Sequence, residues 1–246
     1  MKNIKATVNS LLAALGILTD EEMLALTNAP GKVKDFLATL VQEEIANTFV
    51  VPLSDTEMLD QFPQFADRLP PWRKLAASMG YTGPVVWHVK QGFTLKKHAP
   101  LVGPCYKNLQ HLQNWNFNDD HPTDNCLVFW VPRLAENSTG QTIRQMREHL
   151  VLLKVLYKLP GDHATTFGSI QLQFALILAH FKRTGERVPL SRCYMASDTL
   201  FSGGIHRFRF IAGCFGDDGL NCNYWDDLIS FDYVGFVLLG VEKLEQ

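Results

Sequence analysis

Apolar positions in the first 80 residues recur at the spacing of helices. Val33, Phe36 and Leu40 lie three or four residues apart, with charged residues between them, which places them on one face of a helix. Pro70 and Pro71 precede a further apolar group, and proline is favoured in the first turn of a helix. The pattern predicts a helical N-terminal region over residues 1–80, whose charged side chains face water.

From residue 81 to residue 246 the pattern predicts a second domain that contains strands as well as helices. Short runs rich in Val, Phe and Trp and bounded by Gly, Pro or Asn are typical of strands. One helix is predicted over 143–157, and another over 169–183 is apolar almost all round and is expected to be buried. This order predicts an α+β fold in which helices pack against an antiparallel sheet. The predicted strands are 84–93, 124–132, 192–197, 206–213 and 233–241.

Composition narrows the class of protein. The 246 residues are 46% hydrophobic and 20% charged, with a formal net charge of −2, which excludes collagen, coiled coil and extensive disorder. No basic stripe is present, so a nucleic-acid partner is not expected. No apolar run reaches the ~18 residues of a membrane-spanning helix, so no membrane span is predicted.

The five cysteines form no CxxC pair and are widely spaced. Neither a disulfide scaffold nor a structural zinc site is therefore predicted, and reduced thiols that pack as small hydrophobic side chains are expected. These cysteines are Cys105, Cys126, Cys193, Cys214 and Cys222.

The segment 210–241 differs in composition from the rest of the chain. Met, Gln, Lys and Glu make up 40 of the 246 residues, so about five are expected in these 32 positions, and none occurs. Burial in strands explains part of this depletion, because charged residues avoid a sheet core. However, the middle of the segment is rich in Asp, Asn, Gly and Tyr, which a core strand would not be. Its five charged residues are all aspartates.

One genetic mechanism produces this set of residues. When Asn codons that end in a pyrimidine are randomised at their adenines, the residues they encode include Asn, Asp, Tyr, Ser, Gly, Cys, Phe, Ile, Leu, Val and His, but never Met, Gln, Lys, Glu or Trp. Only Trp225 in the segment lies outside the accessible set, and it is interpreted as an unvaried framework residue. The composition therefore indicates diversification by adenine mutagenesis.

The sequence GLNCNYWDD at 219–227 and YVGFVLLGV at 233–241 resembles the variable proteins of diversity-generating retroelements, in the group found with archaeal viruses and small-genome uncultured prokaryotes. FGSIQLQFALILAHFKRTGERVPL at 167–190 and ASDTLFSGG at 196–204 add to the resemblance, which covers roughly 125–246. The family implies a C-type lectin-like fold that presents a hypervariable ligand-binding surface near its C-terminus. The related formylglycine-generating enzymes usually carry RGGSW where this chain has IAGCFG, which weakens an enzyme interpretation.

The resemblance implies a non-enzymatic binding protein whose partner is a protein or another macromolecule. Asp, Asn and Tyr on loops of a rigid scaffold supply adaptable hydrogen bonds and flat amphipathic area. We expect the candidate side chains to be mainly exposed and to converge on one face. The candidate variable contact positions are Cys214, Phe215, Asp217, Asp218, Asn221, Cys222, Asn223, Tyr224, Asp226, Asp227, Ile229, Phe231, Asp232 and Tyr233.

The N-terminus does not indicate secretion. Its two lysines precede an apolar stretch that runs into Asp20, Glu21 and Glu22 without a small-residue cleavage site, whereas a signal peptide has such a site. A cytoplasmic or virion-associated location is expected.

A metal site is one alternative function. Asn114, Asn116 and Asn118 alternate as calcium ligands do, but the sixth position, which requires Gly, holds Asp119 and the twelfth holds Asn125 instead of Glu. The two aspartate pairs of the variable segment also offer carboxylates to a cation. Neither pattern is complete, so no metal site and no cofactor are predicted.

Two further alternatives are an oxidase and an invariant structural or interaction protein. Cys214 and Cys222 lie eight residues apart near the C-terminus, but a reactive thiol needs a lowered pKa and the surrounding aspartates raise it. No GxSxG, phosphate-binding loop or HExxH motif occurs, and His180 is interpreted as a core histidine. No catalytic residue is predicted. An invariant protein would share the fold and lack the diversity.

Overall fold

The computed structural model describes residues 49–114, 120–160, 166–201 and 208–244, with the single positions 21, 28 and 31. The helices predicted before residue 49 lie outside the described residues. Contacts divide the chain into two compact units, Met1–Glu44 and Ile45–Gln246. This division falls well before the boundary that the sequence predicts at residue 80, and the second unit contains all the elements below.

The second unit alternates helices and strands. Helical turns of the tighter 3₁₀ type cover Pro63–Arg68 and Tyr106–Leu109. The helices and strands follow in the order β1 (Val50–Leu53), α1 (Asp55–Gln61), α2 (Leu69–Ser78), β2 (Val86–Val89), α3 (Leu95–Val102), α4 (His111–Asn114), β3 (Cys126–Leu134), α5 (Ile143–Tyr157), α6 (Ile170–Thr184), β4 (Tyr194–Phe201), β5 (Phe208–Gly216), β6 (Gly219–Asp226), β7 (Val234–Gly235) and β8 (Val237–Lys243).

The strands form two four-stranded sheets. The first has the order β1-β2-β3-β8 and is antiparallel throughout. The second has the order β6-β5-β4-β7, and only its β4–β7 pair is parallel. The predicted α+β class is therefore confirmed, as are the two predicted helices in α5 and α6.

Both sheets bury both faces. Trp87 and Val128 of the first sheet and Phe210 of the second pack in a cluster around α6. The neighbouring residues on the opposite faces, such as Phe129 and Ile211, pack in a second cluster with α2 and α5. Because successive side chains of a strand point to opposite faces, each sheet contributes to both clusters.

Helix α6 forms the centre of the first cluster. Every residue from Ile170 to His180 is buried, as its apolar sequence predicts. The Ser169 side chain accepts a hydrogen bond from the Leu172 N–H at the start, and Gly185 ends the helix in the left-handed conformation at φ 69°.

Residues 49–80 belong to the same core as the later strands. The Trp72 ring of α2 stacks on Phe129 of β3, with ring centroids 6.0 Å apart. A Cβ at Gly240 of β8 would approach the Trp72 ring to 2.8 Å, so glycine allows the helix to pack this closely. This long-range contact explains why the helical pattern of the segment does not mark a separate domain.

Among the described residues, no helix combines the length and apolar character needed to cross a membrane. The described cysteines are free thiols; Cys105, Cys126 and Cys222 are buried, and Cys193 and Cys214 are half-buried.

His180 makes the stability of this core depend on pH. Its ring packs edge-on against both Trp87 and Trp130, with centroids 6.4 and 6.1 Å away, and burial lowers the pKa of His180 below its usual value of 6.5. Below that value the unfolded chain binds a proton that the folded chain excludes, so the free energy of unfolding falls as pH falls.

We expect His180→Phe, which keeps a ring against the two tryptophans, to lose less stability than the parent when pH is lowered from about 8 to about 5. Urea unfolding at both pH values measures this difference. Some pH dependence remains, because burial also lowers the pKa of His98. His121→Gln, at an exposed position, is the control, and an unchanged pH dependence in His180→Phe would contradict the prediction.

Candidate functional site

The first part of the segment 210–241 is a tight hairpin of β5 and β6. Gly216 pairs with Gly219, leaving Asp217 and Asp218 as the exposed turn. Gly219 has φ +98°, and a Cβ there would meet the backbone carbonyl carbon and oxygen of Pro104 at 2.7 Å. Only glycine fits this position without a backbone shift.

A β-bulge at Cys214 shifts the alternation of β5. The pairing with β6 slips between Gly213 and Gly216, and Cys214 has φ +44°. As a result Cys214 packs in the cluster of α2 and α5, whereas Phe215 packs in the cluster around α6. Bulges re-aim side chains in this way, and here the bulge brings the thiol to the side of the sheet that carries Tyr194.

The candidate residues of β6 lie on both faces of the sheet. Asn221 Nδ2 donates a hydrogen bond to the Tyr194 hydroxyl at 3.0 Å, and Asn223 is within hydrogen-bonding reach of the same hydroxyl. Cys222 points the other way into the cluster around α6, and the Tyr224 ring stacks on Phe201 on that face. The expectation of a single face is therefore wrong for β6.

Six residues meet on one side of the second sheet, and we call them the Tyr194 surface. The rings of Phe231 and Tyr233 stack with centroids 5.0 Å apart and an interplanar angle of 9°. The Tyr194 ring meets Tyr233 edge-on at 6.3 Å. The six residues are Tyr194, Cys214, Asn221, Asn223, Phe231 and Tyr233.

The Tyr194 surface is neutral and rich in hydrogen-bonding groups. Burial and a hydrogen bond with the Cys214 thiol raise the pKa of Tyr194 to about 12, so its hydroxyl keeps its proton at physiological pH. Asn221 Oδ1 is buried and has no hydrogen-bond partner among the described residues. Tyr194 itself is buried, and its hydroxyl positions the Asn221 amide. The surface therefore offers half-buried amide and thiol groups beside the stacked pair of half-buried Phe231 and exposed Tyr233.

The loop 227–233 that carries Phe231 and Tyr233 is held at several points. Its backbone oxygens accept hydrogen bonds from Gly140 N at 3.0 Å, Ile143 N at 3.3 Å and Tyr194 N at 2.7 Å. These donors belong to the segment before α5, to α5 and to β4. The loop is therefore fixed by three parts of the scaffold.

A buried ion pair anchors the start of this loop. Both oxygens of the Asp227 carboxylate accept hydrogen bonds from the Arg209 guanidinium at 3.0 Å. Arg209 Nη1 also donates to the Ser197 carbonyl at 2.7 Å. Both side chains are almost completely buried. Asp227 therefore has a structural role and is removed from the contact surface.

The structure divides the fourteen candidate residues by burial. Phe215, Cys222 and Asp227 are buried and cannot contact a ligand. The half-buried ones are Cys214, Asn221, Asn223, Asp226 and Phe231, and the exposed ones are Asp217, Asp218, Tyr224, Ile229, Asp232 and Tyr233.

Sequence reasoning missed two residues of this region. Tyr194 lies in a strand whose composition is typical of a core, so no local signal identifies it. Leu228 is 76% exposed beside Ile229, and its position in the anomalous segment was the available signal.

The structure does not bring the ligands of a metal site together. No group of three or more His, Cys, Asp and Glu side chains within the described ranges is placed to hold a metal ion. Asn116, Asn118 and Asp119 of the calcium-like pattern lie outside those ranges. Asp120, which follows them, accepts hydrogen bonds from the N–H groups of Leu95 and Lys96 and so caps α3.

The geometry also separates the two cysteines considered for redox chemistry. Cys214 and Cys222 lie on opposite faces of the second sheet. Burial raises the pKa of Cys222 well above its usual value, which disfavours the reactive thiolate.

Comparison of the chain with protein-family models, with curated proteins and with solved structures finds no match. The function is therefore argued from the site itself.

Removing the charge of Asp227 leaves the buried Arg209 guanidinium with only the more distant carboxylate of Asp198, whose Oδ1 lies 3.8 Å from Arg209 Nη1. We expect Asp227→Asn to lower the free energy of unfolding by about 3–5 kcal/mol. Chemical denaturation measures the change. Asp218→Asn makes the same substitution at the exposed turn and is expected to stay within about 0.5 kcal/mol of the parent. Equal effects of the two variants would contradict the structural role of Asp227.

Proposed function

We propose that this chain is a non-enzymatic binding protein whose C-terminal surface is diversified by a retroelement and contacts a protein or another macromolecule. The proposed scaffold is a C-type lectin-like domain. The observation that carries the proposal is the coincidence of unusual composition with exposure. Eleven of the fourteen candidate side chains are exposed or half-buried, although they alternate with core positions such as Leu220, Trp225 and Val234.

The chemistry of these side chains supports binding. Tyrosine supplies a large contact area with few rotatable bonds, and Asn and Asp supply adaptable hydrogen bonds, as in antibody paratopes. The exposed Tyr233, stacked on Phe231, and the amides of Asn221 and Asn223 provide this combination. The fixed loop 227–233 limits the entropy lost when a ligand binds.

Population sequencing of the 3′ end of the gene, with its flanking DNA, tests this proposal. We expect amino-acid changes at the eleven exposed and half-buried candidate positions, at codons that align with adenines in a nearby template copy. Phe215, Cys222 and Asp227 serve as matched controls within the same segment, and we expect them to be constant because changes there damage the core. A segment as uniform as α6 would overturn the proposal and favour an invariant interaction protein.

A further inference from the structure

The outer face of α5 carries an exposed apolar patch, which we call the α5 stripe. It consists of Val151, Leu152, Val155 and Leu156, whose exposed fractions are 48%, 67%, 71% and 69%. These positions lie on one face of a helix, because residues three and four apart are neighbours on its surface. A group of large apolar side chains this exposed marks an interaction site.

The α5 stripe adjoins a cleft whose lining is mostly apolar but includes Arg133 and Glu136. The cleft has a volume of about 490 Å³ and is lined by Leu156 and Tyr157 of α5, by Leu75 and Met79 next to it, and by Leu238. The same face therefore offers protruding apolar side chains and a cavity that can receive them. A twofold-symmetric interface requires both features in the same patch, because the patch must be complementary to itself.

The charges at the two ends of the stripe are also complementary to a second copy. Glu148 lies before the stripe with a side chain that is 61% exposed and pairs with the more exposed Arg144 at 3.0 Å, and Lys158 lies after the stripe and is exposed. In an antiparallel pair of α5 helices centred near Leu153, Glu148 lies opposite Lys158 of the partner subunit. The antiparallel arrangement also aligns the helix dipoles favourably.

We infer that two copies of this chain associate through the α5 stripe, with their α5 helices antiparallel about a twofold axis. The association leaves the Tyr194 surface free. Ile143 N, at the start of α5, donates to Asp227 O of the loop 227–233, so each ligand surface adjoins an outer end of the helix pair. With a rise of 1.5 Å per residue, the two starts of α5 lie roughly 30 Å apart. The dimer therefore presents two ligand surfaces, which increases binding to a repetitive target through avidity.

Sedimentation velocity of the full chain over a range of concentrations tests the dimer. We expect a monomer–dimer equilibrium, and at least about a tenfold weaker dimer for Leu152→Glu and Val155→Glu. Leu59→Glu is the matched control, because Leu59 is a partly exposed apolar residue on α1. Thermal unfolding confirms that each variant is folded. A chain that is monomeric at every concentration, or a dimer unaffected by both stripe variants, overturns the inference.

Charge reversal tests the antiparallel arrangement. Glu148→Lys and Lys158→Glu are each expected to weaken the dimer, and the double variant is expected to restore it, because the opposite charges meet again. A double variant weaker than either single variant overturns the pairing.

Binding of a monomeric chain to phosphatidylserine vesicles, lost in Leu152→Glu, would overturn the dimer in favour of a lipid-binding face. These outcomes are independent of gene diversity, so they do not depend on the proposed ligand-binding function.

Discussion

The buried pair of Arg209 and Asp227 is the interaction on which the candidate site depends. Arg209 belongs to β5, and Asp227 begins the loop that carries Phe231 and Tyr233. The Asp227 carbonyl also accepts a hydrogen bond from the first residue of α5. One aspartate therefore joins the second sheet, the contact loop and the helix with the apolar stripe. Burying two charges is costly unless both are paired, so the pair specifies a single arrangement of these three parts.

Helices and strands could be predicted from the sequence where the local spacing of apolar residues determines them. The apolar run of α6 and the helical spacing of Met146 and Leu150 in α5 identify both helices, because the residues that carry these patterns are buried. The domain boundary could not be found in this way, since the stacking of Trp72 on Phe129 joins residues 57 positions apart. The unusual composition identified the segment 210–241 as the candidate contact region, but it did not show which of its side chains point outward. The bulge at Cys214 shifts the alternation of side chains between the two faces of β5 by one residue. No local sequence pattern predicts this bulge.

The proposed variation is compatible with a constant core because the two demands fall on different side chains of the same strands. In β6, Cys222 and Trp225 pack inside, whereas Asn221 and Asn223 reach the Tyr194 surface. A change at an exposed position alters a ligand contact with little effect on stability, whereas a change at a core position leaves a cavity or an unpaired group. A composition without Lys, Glu, Gln or Met is compatible with both classes of position, since small apolar residues and short polar ones belong to the same accessible set.

The positions of the α5 stripe and the Tyr194 surface have a consequence for affinity. A surface diversified as proposed is not optimised for any one ligand, so each newly formed contact is expected to be weak. Two rigidly linked copies turn the second contact into an intramolecular event, which raises the apparent affinity without any new interaction. The first turn of α5 contacts the loop 227–233, while its last two turns carry the α5 stripe. In the proposed dimer, one helix therefore sets the distance between the two Tyr194 surfaces, and a target with repeated features at that distance is expected to bind most tightly.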